Sequence, residues 1–291
     1  MEDILSEYVT PLRMACGVLY PHKVLGEDMT KTLCAIQALD TRPDDIFLCS
    51  FLKSGTHWLY EILNMLVQGQ AKYTRHWKNS NEIEVAPLDV FTKMMSPRIF
   101  QTHLRFEFLP QQLRMKGRIV YVERDPKSVC VSLLNFLKFH NLLRQDIDWS
   151  LFLNMFVDGK VPFGSWFHYV REWRKVTKDY PNIPLHVVFF EDMKEDPLLE
   201  TRKLSAFLGL DLSETVLKDI VDACSFENLK EAHKKKDSTY AWIENAASHY
   251  FWKGTTDEWK NWFTVAQSEY LDKVCEERGV TRNKHGTITK S

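Results

Sequence analysis

Hydrophobic and polar positions follow two rhythms that alternate along the chain. Ile46-Phe47-Leu48-Cys49 is an unbroken apolar run, too short to cross a membrane, of the kind seen in a strand buried on both faces. After Lys53-Ser54-Gly55-Thr56 the apolar positions resume at helical spacing, at Trp58, Leu59, Ile62, Leu63 and Leu66. The same order returns with the strand Ile119-Val120-Tyr121-Val122, the turn Glu123 to Ser128 and an apolar helix from Val129 to Phe139. Asp125 can cap that helix, with Pro126 at its first position. A further short strand, Ile99-Phe100-Gln101-Thr102, ends at His103, and Leu185 to Phe190 forms a third buried run ahead of Glu191-Asp192. Helices are expected from Pro197 to Leu208, closed by Gly209, and from Ser213 to Ala223.

The remaining stretches are less periodic. Residues 1–40 suggest a short helix and a loop around Tyr20-Pro21-His22, and residues 69–95 read as polar and irregular, the length and character of a binding or mobile loop. Residues 140–182 read as helical, with an aromatic stripe that is best taken as core. The charged run Lys230 to Lys236 reads as a solvated face, and a C-terminal helix is expected through Lys260 to Glu277. Strands alternating with helices predict an α/β fold: one domain over 1–291, its central, mainly parallel sheet flanked by helices, with a 1–40 N-terminal segment and a 45–280 core.

Composition narrows the function. The 291 residues exceed the usual ~150 per domain but suit a single α/β domain. An apolar fraction of 44%, an aromatic fraction of 13% and nine Trp predict a large core and an aromatic-lined pocket. A formal net charge of −1 supplies no global field for nucleic acid, so any anion site must be local. The six cysteines, Cys16, Cys34, Cys49, Cys130, Cys224 and Cys275, are scattered without a C-x-x-C pair. That is neither a zinc pattern nor a disulfide framework, and it favours a reducing compartment. The acidic start lacks the order of a signal peptide, and no apolar stretch reaches the ~18 residues of a membrane span. A soluble cytoplasmic protein without membrane or nucleic-acid partners is the expectation.

The chemistry concentrates at the turns. Strand, tight turn and helix catch a phosphate or sulfate, because free backbone N–H groups and the positive end of the helix dipole face the anion and Gly permits close approach. Lys53 adds a charge there, and Ser54 and Thr56 add hydroxyls. The bland alternative is a buried strand whose turn contains Gly. In the second unit Arg124 can grip a phosphate bidentately or pair with Glu123 or Asp125 at the surface. His103 lies where parallel sheets bind ligands, outside the carboxyl ends of the strands, though a lone His is more often a packed or solvated residue. The phosphate-loop spacing G-x-x-x-x-G-K-[ST] is absent, and Glu191-Asp192 is a weak metal candidate. A metal-free donor with two anionic groups therefore fits better than ATP with Mg²⁺ or a metal-dependent kinase.

Five ordered motifs carry a resemblance to a known family: Lys53-Ser54-Gly55-Thr56-x-Trp58; Thr102-His103-Leu104; Arg124-x-Pro126-Lys127 with Ser132; Phe190-Glu191-Asp192-Met193; and Lys253-Gly254 with Trp259-Lys260-Asn261. In these the chain resembles the cytosolic sulfotransferases from about residue 40 to residue 275. The resemblance implies sulfonyl transfer from 3′-phosphoadenosine 5′-phosphosulfate (PAPS) to a hydroxyl or amine, without a metal. It places Lys53, Ser54, Gly55 and Thr56 on the 5′-phosphosulfate, Arg124 and Ser132 with Lys253 and Gly254 on the 3′-phosphate, and Trp58 and Phe226 around the adenine. His103 becomes the general base, with Lys53 and Ser132 as its catalytic companions, and Lys260-x-x-x-Thr264-Val265-x-x-x-Glu269 is similar to the family's dimerisation motif.

The chain departs from the pattern at His57, Gln101, Phe190, Cys224 and Trp252, where the family has Thr, a frequent Lys, Tyr, Thr and Arg, and at Thr255-Thr256-Asp257-Glu258. These departures predict weaker PAPS binding than in a relative with every contact. They also leave open a degenerate relative that holds PAPS or its desulfated product without efficient turnover, against which the retention of Lys53, His103 and Ser132 speaks. Phe136, Phe139, Trp77 and Tyr240 are candidate walls of an aromatic acceptor pocket, each also readable as core.

Overall fold

The computed structural model describes residues 7–8, 11–21, 24–74, 81–234 and 255–281. Near the start, β1 (Leu12–Ala15) and β2 (Val18–Pro21) form an antiparallel hairpin where the sequence suggested only a loop. Its two-residue turn, Cys16-Gly17, has positive φ at both positions (49° and 72°), the conformation that matches strand twist. Cys in place of the usual Asn or Asp hid the signal. The expected short helix follows as α1 (Met29–Gln37).

The four strands of the main sheet are β3 (Ile46–Ser50), β4 (Ile99–Thr102), β5 (Arg118–Glu123) and β6 (Leu185–Phe189). Among the described residues they lie in the order β4-β3-β5-β6, every pairing parallel, with Ile46 opposite both Ile99 and Arg118. All five residues of β3 are buried because helices cover both faces of the sheet. Phe47, Cys49, Ile119 and Tyr121 point into one apolar cluster, and Ile46, Leu48, Val120 and Val122 into the other. This is the period of two that turns a centrally placed strand into a continuous apolar run.

The connections supply the helices. α2 (Thr56–Gln68) leaves β3, α3 (Leu88–Thr92) precedes β4, and α4 (Leu113–Lys116) precedes β5. α5 (Pro126–Phe139) leaves β5 and is capped, as expected, by Asp125, whose carboxylate accepts from the Ser128 N–H at 2.8 Å. Residues 140–182 hold α6 (Trp149–Val157) and α7 (Trp166–Asp179) rather than one helix. The break contains Gly159, Phe163 and Gly164, all at positive φ. After β6 come α8 (Phe190–Glu195), α9 (Pro197–Leu208) with Gly209 as a left-handed cap, α10 (Glu214–Ala223) and α11 (Phe226–Lys234). The C-terminal helix, α12 (Val265–Glu277), begins later than the pattern suggested. Thr264 and Gln267 close a capping box at its start, and Glu258–Asn261 is a separate 3₁₀ turn.

At the amino ends of β3 and β4, Arg98 forks onto buried Asp45, Nε to Oδ1 at 2.8 Å and an Nη to Oδ2 at 2.5 Å. The guanidinium is completed by the carbonyls of Phe91 and Asp40. This tie fixes the lower end of the sheet. The opposite, carboxyl edge is left for ligands, and because β4 and β5 flank β3 on opposite sides, the strand order reverses at β3. No helix among the described residues is long and apolar enough to cross a membrane.

Candidate active site

The turn after β3 is shaped by two left-handed residues, Lys53 (φ 69°) and Gly55 (φ 101°). Gly55 is also the N-cap of α2, and a Cβ on it would fall 2.6 Å from Cδ2 of Phe190. Only glycine satisfies both the dihedral and the close approach. The loop thus brings the N-terminus of α2, the positive end of its dipole, to the sheet edge. Ser54 Oγ is buried there without a hydrogen-bond partner. An orphaned hydroxyl beside a helix N-terminus suits an anionic oxygen.

Arg124 leaves the end of β5 and donates through one Nη to the Lys53 carbonyl at 2.9 Å, bracing the loop, while its buried Nε has no partner. Its guanidinium lies 4.2 Å from the centroid of the Phe190 ring. Burial works against its charge, offset by Glu191 and Asp125. Glu191 in turn accepts from the Asp125 N–H at 3.0 Å, so β5 and α8 are locked beside the arginine. Phe190 meets Trp58 edge-on, with ring centroids 5.8 Å apart. It therefore packs against loop glycine, arginine and tryptophan together.

Ser128, Ser132 and Phe136 follow one another at intervals of four along α5 and so share a face. Ser128 Oγ donates to the Thr256 carbonyl at 3.1 Å, and Lys53 Nζ lies 4.7 Å from the centroid of Phe136. Half-buried Ser132 sits between these contacts, on the face that runs from the C-terminal segment to the loop lysine. Phe139 lies one turn on, its ring 4.9 Å from that of His140. Trp58 and Phe226 line one cavity of about 570 Å³, together with Lys194, Cys224 and Thr255. A neighbouring cavity of about 850 Å³ shares Lys194 and Thr255 and reaches Thr256 and Lys260. His57 faces His233, with ring centroids 6.2 Å apart. Trp77, Tyr240, Trp252, Lys253 and Gly254 lie outside the described residues.

His103 is buried immediately after β4. Its Nδ1 is 2.9 Å from the Ser50 carbonyl oxygen, which can only accept, so Nδ1 carries the proton and neutral Nε2 is the basic nitrogen. The side-chain nitrogen of Gln101 lies 3.2 Å from that Nε2. The His103 N–H donates to Glu84 Oε1 at 2.6 Å. Glu84 is enclosed beside Glu82, and burial followed by the charge of Glu82 pushes its carboxyl up to about 8. The Phe163 ring stands edge-on to the imidazole at 5.4 Å and to Tyr20 of the hairpin at 5.6 Å.

Sequence reasoning missed Glu84, Ser50, Phe163 and Lys194. Glu82-Ile83-Glu84 alternates like an exposed strand edge, yet both carboxyls are buried against the end of β4. Lys194 follows Glu191 by one turn on α8, and it lies 5.3 Å from the Trp58 ring.

Known proteins resemble this chain in sequence and fold. The sulfotransferase domain family matches residues 43–283. Sulfotransferase 1A1 of Mus musculus is 36% identical over 255 residues, 83% of this chain and 87% of the relative. Sulfotransferase 1C2 of Oryctolagus cuniculus is 36% identical over 252 residues, 82% and 84% of the two chains. The crystal structure of mouse sulfotransferase SULT7A1 complexed with PAP, 29% identical, superposes with a TM-score of 0.76 over 94% of this chain and 95% of that one. Retinol dehydratase in a complex with retinol and PAP, 18% identical, shares the fold at a TM-score of 0.78 over 100% and 96% of the chains. The chain belongs to the sulfotransferase family and is an enzyme of PAPS-dependent sulfonyl transfer.

Proposed function

We propose that the enzyme sulfonates a hydroxyl or amine of a small aromatic or hydrophobic acceptor, with His103 as general base. The observation that carries this reading is the Nδ1 to Ser50 contact, which aims a basic Nε2 along the sheet edge that also holds the Lys53 loop. PAPS, when bound, supplies a sulfonyl group already activated by a phosphate leaving group. The orphaned Ser54 hydroxyl and Arg124 Nε are the observations that fit such an anion.

Lys53, Ser54, Gly55, Thr56 and His57 would hold the phosphosulfate end, with Lys53 stabilising charge on the departing oxygen. Arg124 and Ser132, joined by Lys253, Gly254 and the neighbouring Trp252, would take the 3′-phosphate. Trp58 and Phe226, with Phe190 behind, would enclose the adenine. His103 Nε2 would accept the acceptor's proton, leaving the electron pair on oxygen or nitrogen to attack. Phe136, beside Lys53, is the best-supported wall of the acceptor pocket, with Phe139, Trp77 and Tyr240 as further candidates.

The catalytic unit would be the 45–280 core, with residues 1–40 as an N-terminal segment. Free thiols at all six cysteines favour a reducing, cytoplasmic setting. Val265 is 76% exposed at the start of α12, beside Thr264, Glu269 and Lys260, which supports a homodimer through that segment. Light scattering on Val265→Glu should then find a monomer. The decisive assay is sulfonyl transfer to a panel of phenols, steroids and monoamines with wild type and His103→Ala. Loss of turnover in the variant is expected, and full turnover would remove His103 as base.

A further inference from the structure

Gln101 is fully buried at the end of β4, two residues before His103 and so on the same side of the extended chain. Its amide nitrogen is 3.2 Å from His103 Nε2. With Nδ1 committed to the Ser50 carbonyl, Nε2 has one lone pair, and the amide N–H takes it. An acceptor hydroxyl must displace that N–H to be deprotonated. Once Nε2 carries the proton, an amide nitrogen facing it would set two donors against each other. A half-turn of the amide about its last side-chain bond instead presents Oε1 to the new N–H. A lysine could only donate, and its charge would oppose the imidazolium.

We propose that Gln101 is a positioning residue for the base, its amide nitrogen donating a hydrogen bond to the Nε2 lone pair before transfer and its amide oxygen accepting one from the protonated Nε2 afterwards. The proposal rests on His103 as general base. Glu84 is engaged at the His103 backbone, with Glu82 beyond it. Tyr20 of β2, Cys49 of β3 and Tyr169 of α7, within the field of Glu84, are kept neutral chiefly by burial. Among the described residues, the cations nearby are Arg105, beside Tyr20, and Lys53, over Phe136, and both can only donate hydrogen bonds.

The test is an NMR titration of ¹⁵N-histidine-labelled full chain bound to PAP, with His103 identified by the resonance missing in His103→Ala. Gln101→Met removes a charge-assisted bond from the imidazolium and a weaker one from the neutral ring, so the His103 pKa should fall by roughly one unit. Gln101→Glu, able only to accept, should raise it. The acid limb of kcat/KM should move in the same two directions, with the KM for PAPS unchanged. If both variants leave the titration unmoved, or shift it the same way, the proposal is overturned. Should Gln101→Met not fold, Gln101→Asn, too short to reach Nε2, is read in its place. Full transfer by His103→Ala would instead overturn the general-base reading, while the titration still reports on Gln101.

Discussion

Gly55→Ala is the sharpest probe of the loop, because the glycine is required twice. Its φ of 101° lies outside the range that L side chains adopt readily, at a cost of about 1–3 kcal/mol. The added Cβ would stand 2.6 and 2.8 Å from two carbons of the Phe190 ring. That ring cannot swing away cheaply, since Arg124 lies 4.2 Å from its centroid and Trp58 meets it at 5.8 Å. Overpacking of this kind costs a further ~1–3 kcal/mol. The sum, about 2–6 kcal/mol, divides between a lower Tm and a weaker PAP complex, because moving Phe190 also disturbs Arg124 and Trp58. Calorimetry would read the Tm, which should fall by at least ~4 °C, and isothermal titration would read PAP affinity. Gly55→Ala with Phe190→Leu separates the two causes: relief of the clash should recover ~1–3 kcal/mol through coupling, leaving the backbone strain. If the single variant matches wild type in both Tm and PAP affinity, or if the double variant shows no coupling, the steric account of the loop is wrong.

Asp45→Ala strands the buried Arg98 guanidinium and should cost ~3–5 kcal/mol in chemical denaturation. Glu84 binds a proton in the folded state up to about 8 but, once unfolded, releases it near the ordinary 4.5. The unfolded chain therefore holds fewer protons between those values, and this group's contribution to stability declines as pH rises through the window. Glu84→Gln does not titrate, so the Tm of wild type relative to this variant should decline across the same window; a constant difference would show that the carboxyl is not buried as drawn. Trp252→Arg, beside the residues proposed to hold the 3′-phosphate, should add a charge-assisted contact and tighten PAP binding by about 1.5–3 kcal/mol in isothermal titration. Unchanged affinity would mean that the remaining cations already saturate the 3′-phosphate.

The anion loop was legible because its chemistry is local. Strand, Lys-Ser-Gly-Thr turn and amphipathic helix are contiguous, and the buried strand shows its two-sided cover as an unbroken apolar run. Asp125-Pro126 and Gly209 mark helix ends for equally local reasons. The hairpin at Cys16-Gly17 was missed because its turn depends on two backbone dihedrals rather than on a familiar residue pair. The continuous reading of residues 140–182 failed because aromatic periodicity persists across Gly159 to Gly164, where positive φ values break the helix. His103 could be placed at the sheet edge from its strand, but its tautomer could not. That depends on the carbonyl of Ser50, 53 residues away on a neighbouring strand. Glu84 reads as polar surface until β4 closes over it. Contacts made by parallel crossovers leave no local trace, and the base's environment consists of such contacts.

Lys53 joins the two halves of the reaction by its own covalent structure. Its backbone is left-handed, its carbonyl accepts from Arg124, and its ammonium lies over Phe136, the proposed wall of the acceptor pocket. An anion drawn to Arg124 therefore acts on the carbonyl that sets where the Lys53 side chain leaves the loop. A flat acceptor pressed against Phe136 competes for the face on which that ammonium rests, and a cation–π contact of this type is worth only ~0.5–2 kcal/mol. Such a contact is weak enough for an incoming anion to pull the ammonium away, and doing so would uncover the aromatic face. Nucleotide binding should therefore open the Phe136 face to the acceptor. The coupling is reciprocal, so acceptor analogues should bind more tightly with PAP present, and PAP more tightly with them. Lys53→Met would keep the stem but abolish this reciprocity. Measured affinities that remain coupled in that variant would place the link elsewhere, along the α5 face that carries Ser128, Ser132 and Phe136.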